Sequence, residues 1–245
     1  MLKQFHDKAY KKTSQNKEDG LIQYIVNDVG LTNNKGLEIC CGSGIQCNLT
    51  NLIHTHRIDC LYFDKNTKMI DKGMNYWNKY AHSPVYIKDE LTIHNLKNHI
   101  QQWGFDGPID ILSLDIDGLD YWFMKSIITY CSPRIIVLEF QDTIPIDLSI
   151  AVPYKERFSG WNKWAKGGPN YSCASIKAFI KLLSNYRFVG TEPKGFNAFF
   201  IRKDIQSEIP TITDLNELWN SKTEIKQYSL LSRWNLVKHL EWNNI

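Results

Sequence analysis

Gly36-Leu37-Glu38-Ile39-Cys40-Cys41-Gly42-Ser43-Gly44 is the stretch that decides the fold. A short apolar run ends in a pair of glycines, and Asn48 to Ile53 behind it reads as the start of a helix. A tight turn between a strand and a helix presents backbone N–H groups to a ligand, and glycine permits close approach because it lacks a Cβ. Cys40, Gly42, Ser43 and Gly44 are therefore the candidate cradle for a nucleotide cofactor. Cys40 stands where a dinucleotide fingerprint has its first glycine, which disfavours a dehydrogenase. Cys60-Leu61-Tyr62-Phe63 reads as the next strand and stops at Asp64, about 20 residues after the turn. A carboxylate there can accept both hydroxyls of a ribose.

Outward from the turn, strands and helices alternate. Asp19 to Val29 carries Leu21, Ile22, Ile25, Val26 and Val29 at helical spacing and is closed by Gly30. After Asp64 the pattern predicts a helix over Lys68 to Tyr80 and a strand at Val85-Tyr86-Ile87. Asp89 and Glu90 follow that strand, and either could meet the adenine edge of the cofactor. A helix over Asn95 to Trp103 leads to the strand Ile109 to Leu114, ending at Asp115. A helix over Tyr121 to Thr129 leads to the strand Arg134 to Leu138, ending at Glu139. This alternation predicts a parallel sheet covered on both faces.

The pattern changes at residues 141–171, a long loop with several prolines and glycines that holds Tyr154, Trp161 and Trp164. Loops of that length inside a domain are usually functional or partly disordered. Aromatic faces in it suit the apolar side of a sugar ring or core packing. A helix over Ser172 to Leu183 follows. Tyr186 to Val189 and Ala198 to Arg202 then flank Pro193-Lys194-Gly195 as an antiparallel hairpin. Residues 1–204 thus form one domain, and residues 205–245 a polar tail with a helix near Leu230 to Leu240. The expected fold class is α/β and Rossmann-like, a mainly parallel seven-stranded sheet with a terminal antiparallel hairpin. That arrangement is similar to class I methyltransferases, and a plain dehydrogenase sheet would not need the reversed strand.

Composition narrows the function classes. With 29 basic and 26 acidic residues, the formal net charge of +3 is far from that of a nucleic-acid binder. Lys8, Lys11, Lys12 and Lys17 read as a solvated face. No apolar run approaches the ~20 residues of a membrane span, and the first residues lack the apolar core of a signal peptide, so a cytoplasmic location is expected. The six cysteines lack paired zinc-ligand spacing and read as reduced structural thiols.

The resemblance extends beyond the turn. Ser14-Gln15-Asn16-Lys17-Glu18-Asp19-Gly20-Leu21-Ile22, the glycine turn and Asn48-Leu49-Thr50 resemble an FkbM-related group of methyltransferases. So do Asp110 to Gly118, Pro133 to Phe140, Ala174 to Ala178 and Asn197 to Arg202, in order over about residues 13 to 204. The resemblance implies S-adenosylmethionine as cofactor and O-methylation of a sugar in surface-polysaccharide pathways. Cys40-Cys41 and Leu119 depart from the residues usual in that group. Glu38, two residues before the turn, is placed to reach the ammonium of the methyl donor, which a dinucleotide lacks.

Asp115, Asp117 and Glu139 fall at the carboxyl ends of neighbouring strands, where open α/β sheets bind ligands. Carboxylates converging there repel one another unless a cation or proton intervenes. Two readings stay open. The three could hold Mg²⁺ or Mn²⁺ against vicinal sugar hydroxyls, or Asp115 or Asp117 could act as general base. Asp117 before Gly118 also suits a simple turn. His94 could approach the site, whereas His54, His56, His82 and His99 fall away from strand ends. Competing functions are methylation of another small molecule or RNA, and a non-catalytic cofactor-binding protein of the same fold. The tail could pair with another subunit.

Overall fold

Along the strands, successive apolar side chains point to opposite faces, which makes a sheet that must be covered on both sides. Leu37, Ile39, Leu61, Phe63, Leu112 and Leu114 pack in one buried cluster. Cys60, Tyr62, Ile111, Val137 and Phe199 pack in the other. This is seen in a computed structural model of the chain, which describes residues 1–156, 158 and 170–245.

Five strands form the parallel part: β1 (Lys35–Ile39), β2 (Asp59–Asp64), β3 (Val85–Lys88), β4 (Gly107–Leu114) and β5 (Cys131–Glu139). They are connected through α3 (Thr50–His56), α4 (Thr67–Trp77), α5 (Leu96–Gln102) and α6 (Asp120–Ile127), after α1 (Leu2–His6) and α2 (Glu18–Val29). Beyond the short strand β6 (Ile150–Ala151) come α7 (Ile176–Leu182), β7 (Tyr186–Thr191) and β8 (Asn197–Arg202). The sheet runs β3-β2-β1-β4-β5-β8-β7, and β8 is antiparallel to both neighbours. Strand order and the reversed β8 make this the Rossmann-like methyltransferase fold expected from the sequence. β1 pairs with β2 on one side and β4 on the other, so the order reverses there. That switch point opens a crevice at the carboxyl ends of β1 and β4.

The structure departs from the sequence reading at helix starts and in the tail. Ser175 accepts a hydrogen bond from the Ala178 N–H at 3.2 Å, so α7 begins three to four residues later than expected. Thr223 caps Lys226 in the same way at 3.3 Å, which starts the last helix, α9 (Glu224–Asn235), earlier than expected. It follows the short α8 (Asn216–Asn220). The tail packs onto the domain, because β9 (Asn243–Asn244) pairs antiparallel with β6. The Tyr171 hydroxyl donates to the Glu241 carbonyl, and its ring lies edge-on to Trp242 at 5.0 Å. Tyr154 likewise stands edge-on to Trp122 at 6.2 Å, whereas Trp161 and Trp164 lie outside the described residues. Among the described residues no helix is long and apolar enough to cross a membrane.

Candidate active site

Two glycines of the turn do different work. Gly42 has φ +55, and a Cβ there would meet only Met69 Cε at 3.8 Å, so its backbone stands open to the crevice. Its N–H donates to Asp64 Oδ2 at 2.6 Å. Gly44 has φ +64, and a Cβ there would lie 2.3 Å from Tyr86 Oη and 2.6 Å from Tyr62 Cδ2. Tyr86 also donates to the Ser43 carbonyl at 2.8 Å. Cys40 and Gly42 therefore line the cleft, while Ser43 and Gly44 seat the turn against the rings of β2 and β3. Cys40 adopts φ 63, a left-handed conformation that costs a residue with a Cβ.

Glu38 is 5% exposed and faces inward. Its Oε2 accepts from the Leu49 N–H and its Oε1 from the Ser113 hydroxyl, each at 2.8 Å. Burial raises its pKa to about 7, against the opposing effect of those hydrogen bonds. Glu38 does not line the cleft among the described residues; it braces the floor under the turn.

Asp64 accepts from Asn66 N–H at 2.7 Å as well as from Gly42, which aims its carboxylate along the rim. Asp89 and Glu90 both line the cleft. Asp89 pairs with His99 Nε2 at 2.7 Å and Asn95 Nδ2 at 3.2 Å, whereas Glu90 pairs with Lys65 at 3.2 Å. His99 is thus a site neighbour that linear reading placed elsewhere, because α5 folds its face back toward the end of β3. His94 lines the cleft as expected.

At the other end, Asp115, Asp117 and Glu139 bring one carboxylate oxygen each within 4.8 Å of one another. Burial, then the charges of Asp120 and Asp117, push Asp115 up to about 8. Burial, then the charge of Asp115, pushes Glu139 up to about 11. A fourth carboxylate, not singled out from sequence, is Asp120. Its oxygens accept from the N–H groups of Ile116 at 2.9 Å and Gly118 at 3.0 Å, fixing the loop that carries the others. Burial raises Asp120 to about 6. Asp117 has φ 54, so it serves the turn before Gly118 while exposing its carboxylate.

Segments remote in sequence complete the wall. Asp19 accepts from the N–H groups of Lys12, Thr13 and Ser14 at 2.7, 2.8 and 2.8 Å, curling the chain before α2 over the crevice. Glu18 accepts from Asn16 N–H at 2.6 Å and Asn197 Nδ2 at 2.9 Å, and Asn197 lies opposite Glu139 in register. Asn16, Asn197, Asp142 and Arg233 line the cleft. Asn16 falls in the Ser14-to-Ile22 stretch of the resemblance but was not a candidate site residue, and nothing local marked Arg233. The cleft holds about 1280 Å³, beyond the ~300–1,000 Å³ of an ordinary ligand pocket, which leaves room for two molecules side by side. Among the described residues eight carboxylates line it, against the cations of Lys65 and Arg233 and the imidazole of His94.

No protein-family model matches the chain, and no curated protein matches it. Solved structures do resemble it. An O-methyltransferase from Bacillus cereus in complex with SAH is 14% identical, with a TM-score of 0.49, over 80% of this chain and 83% of that one. An S-adenosylmethionine-dependent methyltransferase from Clostridium acetobutylicum is 11% identical, with a TM-score of 0.45, over 76% and 90%. The CurJ carbon methyltransferase is 15% identical, with a TM-score of 0.46, over 75% of this chain and 52% of that one, about half its length. At these identities and scores the likeness is one of fold, and the chemistry of the cleft is read from its own residues.

Proposed function

We propose that this chain is an S-adenosylmethionine-dependent O-methyltransferase that acts on a hydroxyl of a sugar, nucleotide-linked or a polysaccharide precursor. The observation that carries this reading is one cleft with two unlike ends. The open Gly42 turn and Asp64 lie at one end, and Asp115, Asp117 and Glu139 at the other. In this arrangement Asp64 takes the ribose hydroxyls, Asp89 or Glu90 the adenine edge, and the backbone at Cys40 and Gly42 the amino-acid end. Methyl transfer is an in-line displacement at an activated sulfonium, so the protein must orient the acceptor and take its proton. Asp115 or Asp117 takes that proton in our reading, and Asp120 holds their loop still.

Three clustered carboxylates also fit Mg²⁺ or Mn²⁺, which prefer such oxygens. When bound, the ion would lower the hydroxyl's pKa. The sugar class rests on the FkbM-related resemblance.

Calorimetry with S-adenosylmethionine, its demethylated product and NAD tests the donor. We expect the first two to bind, and binding of NAD alone would sink the reading. Labelled methyl donor with a panel of nucleotide-linked sugars then tests the acceptor. Turnover that survives a chelator, together with a fully active Glu139→Gln, would remove the metal from the scheme.

A further inference from the structure

Arg233 lines the cleft beside Asp142, three residues after Glu139, and its setting is built. Its Nε donates to Asn170 Oδ1 at 2.6 Å, and one Nη stands 3.4 Å from Asp142 Oδ1. The Asp142 side chain is 2% exposed and has a second cation, Lys226 Nζ, 3.4 Å from its other oxygen. Lys222 stands on the far side, in a small cavity that shares Phe140 and Asp142 with the cleft. One buried carboxylate is thus faced by several cations, and Lys226 alone could neutralise it. Arg233, 30% exposed on the cleft wall, keeps N–H groups of a planar fork that suits two oxygens of an anion.

Asp142 follows Glu139 by three residues, so their Cα atoms lie at most about 11 Å apart. Arg233, held against Asp142, therefore shares the stretch of wall that follows the acidic strand end. Among the described residues, the other lysine or arginine on the lining is Lys65, which is tied to Glu90 at the cofactor end. Among the described residues of this acidic lining, Arg233 is the cation placed beside Asp142 to receive an anionic group.

We infer that the acceptor carries an anionic group, a phosphate ester or a carboxylate, that Arg233 binds while its hydroxyl lies at Asp115, Asp117 and Glu139. This rests on the methyltransferase reading and narrows its substrate class. The group orients the sugar, because only one end of the molecule can approach the acidic triad.

The test uses the full chain saturated with S-adenosylhomocysteine, in chelator so that no metal recruits the anion. Inorganic pyrophosphate, glucuronate and glucose are titrated separately by calorimetry. We expect one anion to bind in preference to glucose; pyrophosphate points to a phosphate ester, glucuronate to a carboxylate. Arg233→Gln should weaken that anion about tenfold or more, the loss of a charged hydrogen-bond partner. Arg233→Lys, which keeps the charge without the fork, should recover part of the loss. Unchanged affinity for S-adenosylhomocysteine shows that the variants are folded. Failure of that ligand to bind the unaltered chain would defeat the donor reading instead. No anion binding, or equal binding by the unaltered chain and both variants, overturns the assignment of Arg233.

Discussion

The two ends of the cleft are built in different ways. At the cofactor end, each acidic group has its own partner in the turn after β1, at the end of β2 or on α5. Asp64 holds Gly42 and Asn66, Asp89 holds His99, and Glu90 holds Lys65. At the acceptor end, three carboxylates crowd together, burial and then neighbouring charges push Asp115 and Glu139 above the usual carboxylate range, and Asn16, Asn197 and Arg233 reach the same cleft from remote segments. A satisfied network is a rigid binding surface, whereas an under-compensated cluster is a place where a ligand, cation or proton lowers the energy.

The largest effect expected of breaking this contrast is at the acceptor end. Asp115→Asn should lower turnover by about 10²–10⁴-fold, with the affinity for S-adenosylhomocysteine unchanged by calorimetry. A variant that lost both equally would erase the distinction between the two ends. Next comes the seat of the turn. Gly44→Ala must move both Tyr62 and Tyr86 and strain a left-handed backbone, so urea unfolding should show a loss of about 2–3 kcal/mol. Gly42→Ala, with open space above it, should lose only about 1 kcal/mol of stability but obstruct the donor.

A third prediction separates the bracing carboxylate from the crowded ones. Glu38 binds its proton more tightly folded, near pH 7, than unfolded, near 4.5. The stability it contributes is full below about pH 4.5 and is lost as pH rises through 7, at most about 3 kcal/mol. Glu38→Gln should flatten that part of the stability-against-pH curve measured by denaturant unfolding. A slope unchanged by the substitution would remove Glu38 as its source. The smallest effect is at Cys40, where Cys40→Gly should gain roughly 1 kcal/mol by relieving the left-handed backbone. No gain in the melting midpoint would mean that the side chain's packing matters more than its strain.

The contrast also explains what could be read in advance. The alternation of strands and helices, the turn, Asp64 and the three strand-end carboxylates were legible, because strand ends in a parallel sheet converge on one edge wherever the helices lie. Glu38 was legible as important but not in its direction. Strand periodicity shows which face a side chain takes, and only the packed neighbours Leu49 and Ser113 show that both oxygens are used inside. Ser43 and Gly44 belong to the same class: a glycine signals a missing Cβ, and the rings of Tyr62 and Tyr86 show what fills the space.

By itself the sequence determined the alternating α/β sheet, its reversed β8 and the acidic strand ends, since these follow from periodicity and short-range turn chemistry. Only the tertiary structure decided that the tail folds back through β9, that His99 reaches Asp89, and that Arg233 enters the cleft beside Asp142. Those contacts join separate elements of the chain, and their energies depend on distances that no local pattern encodes.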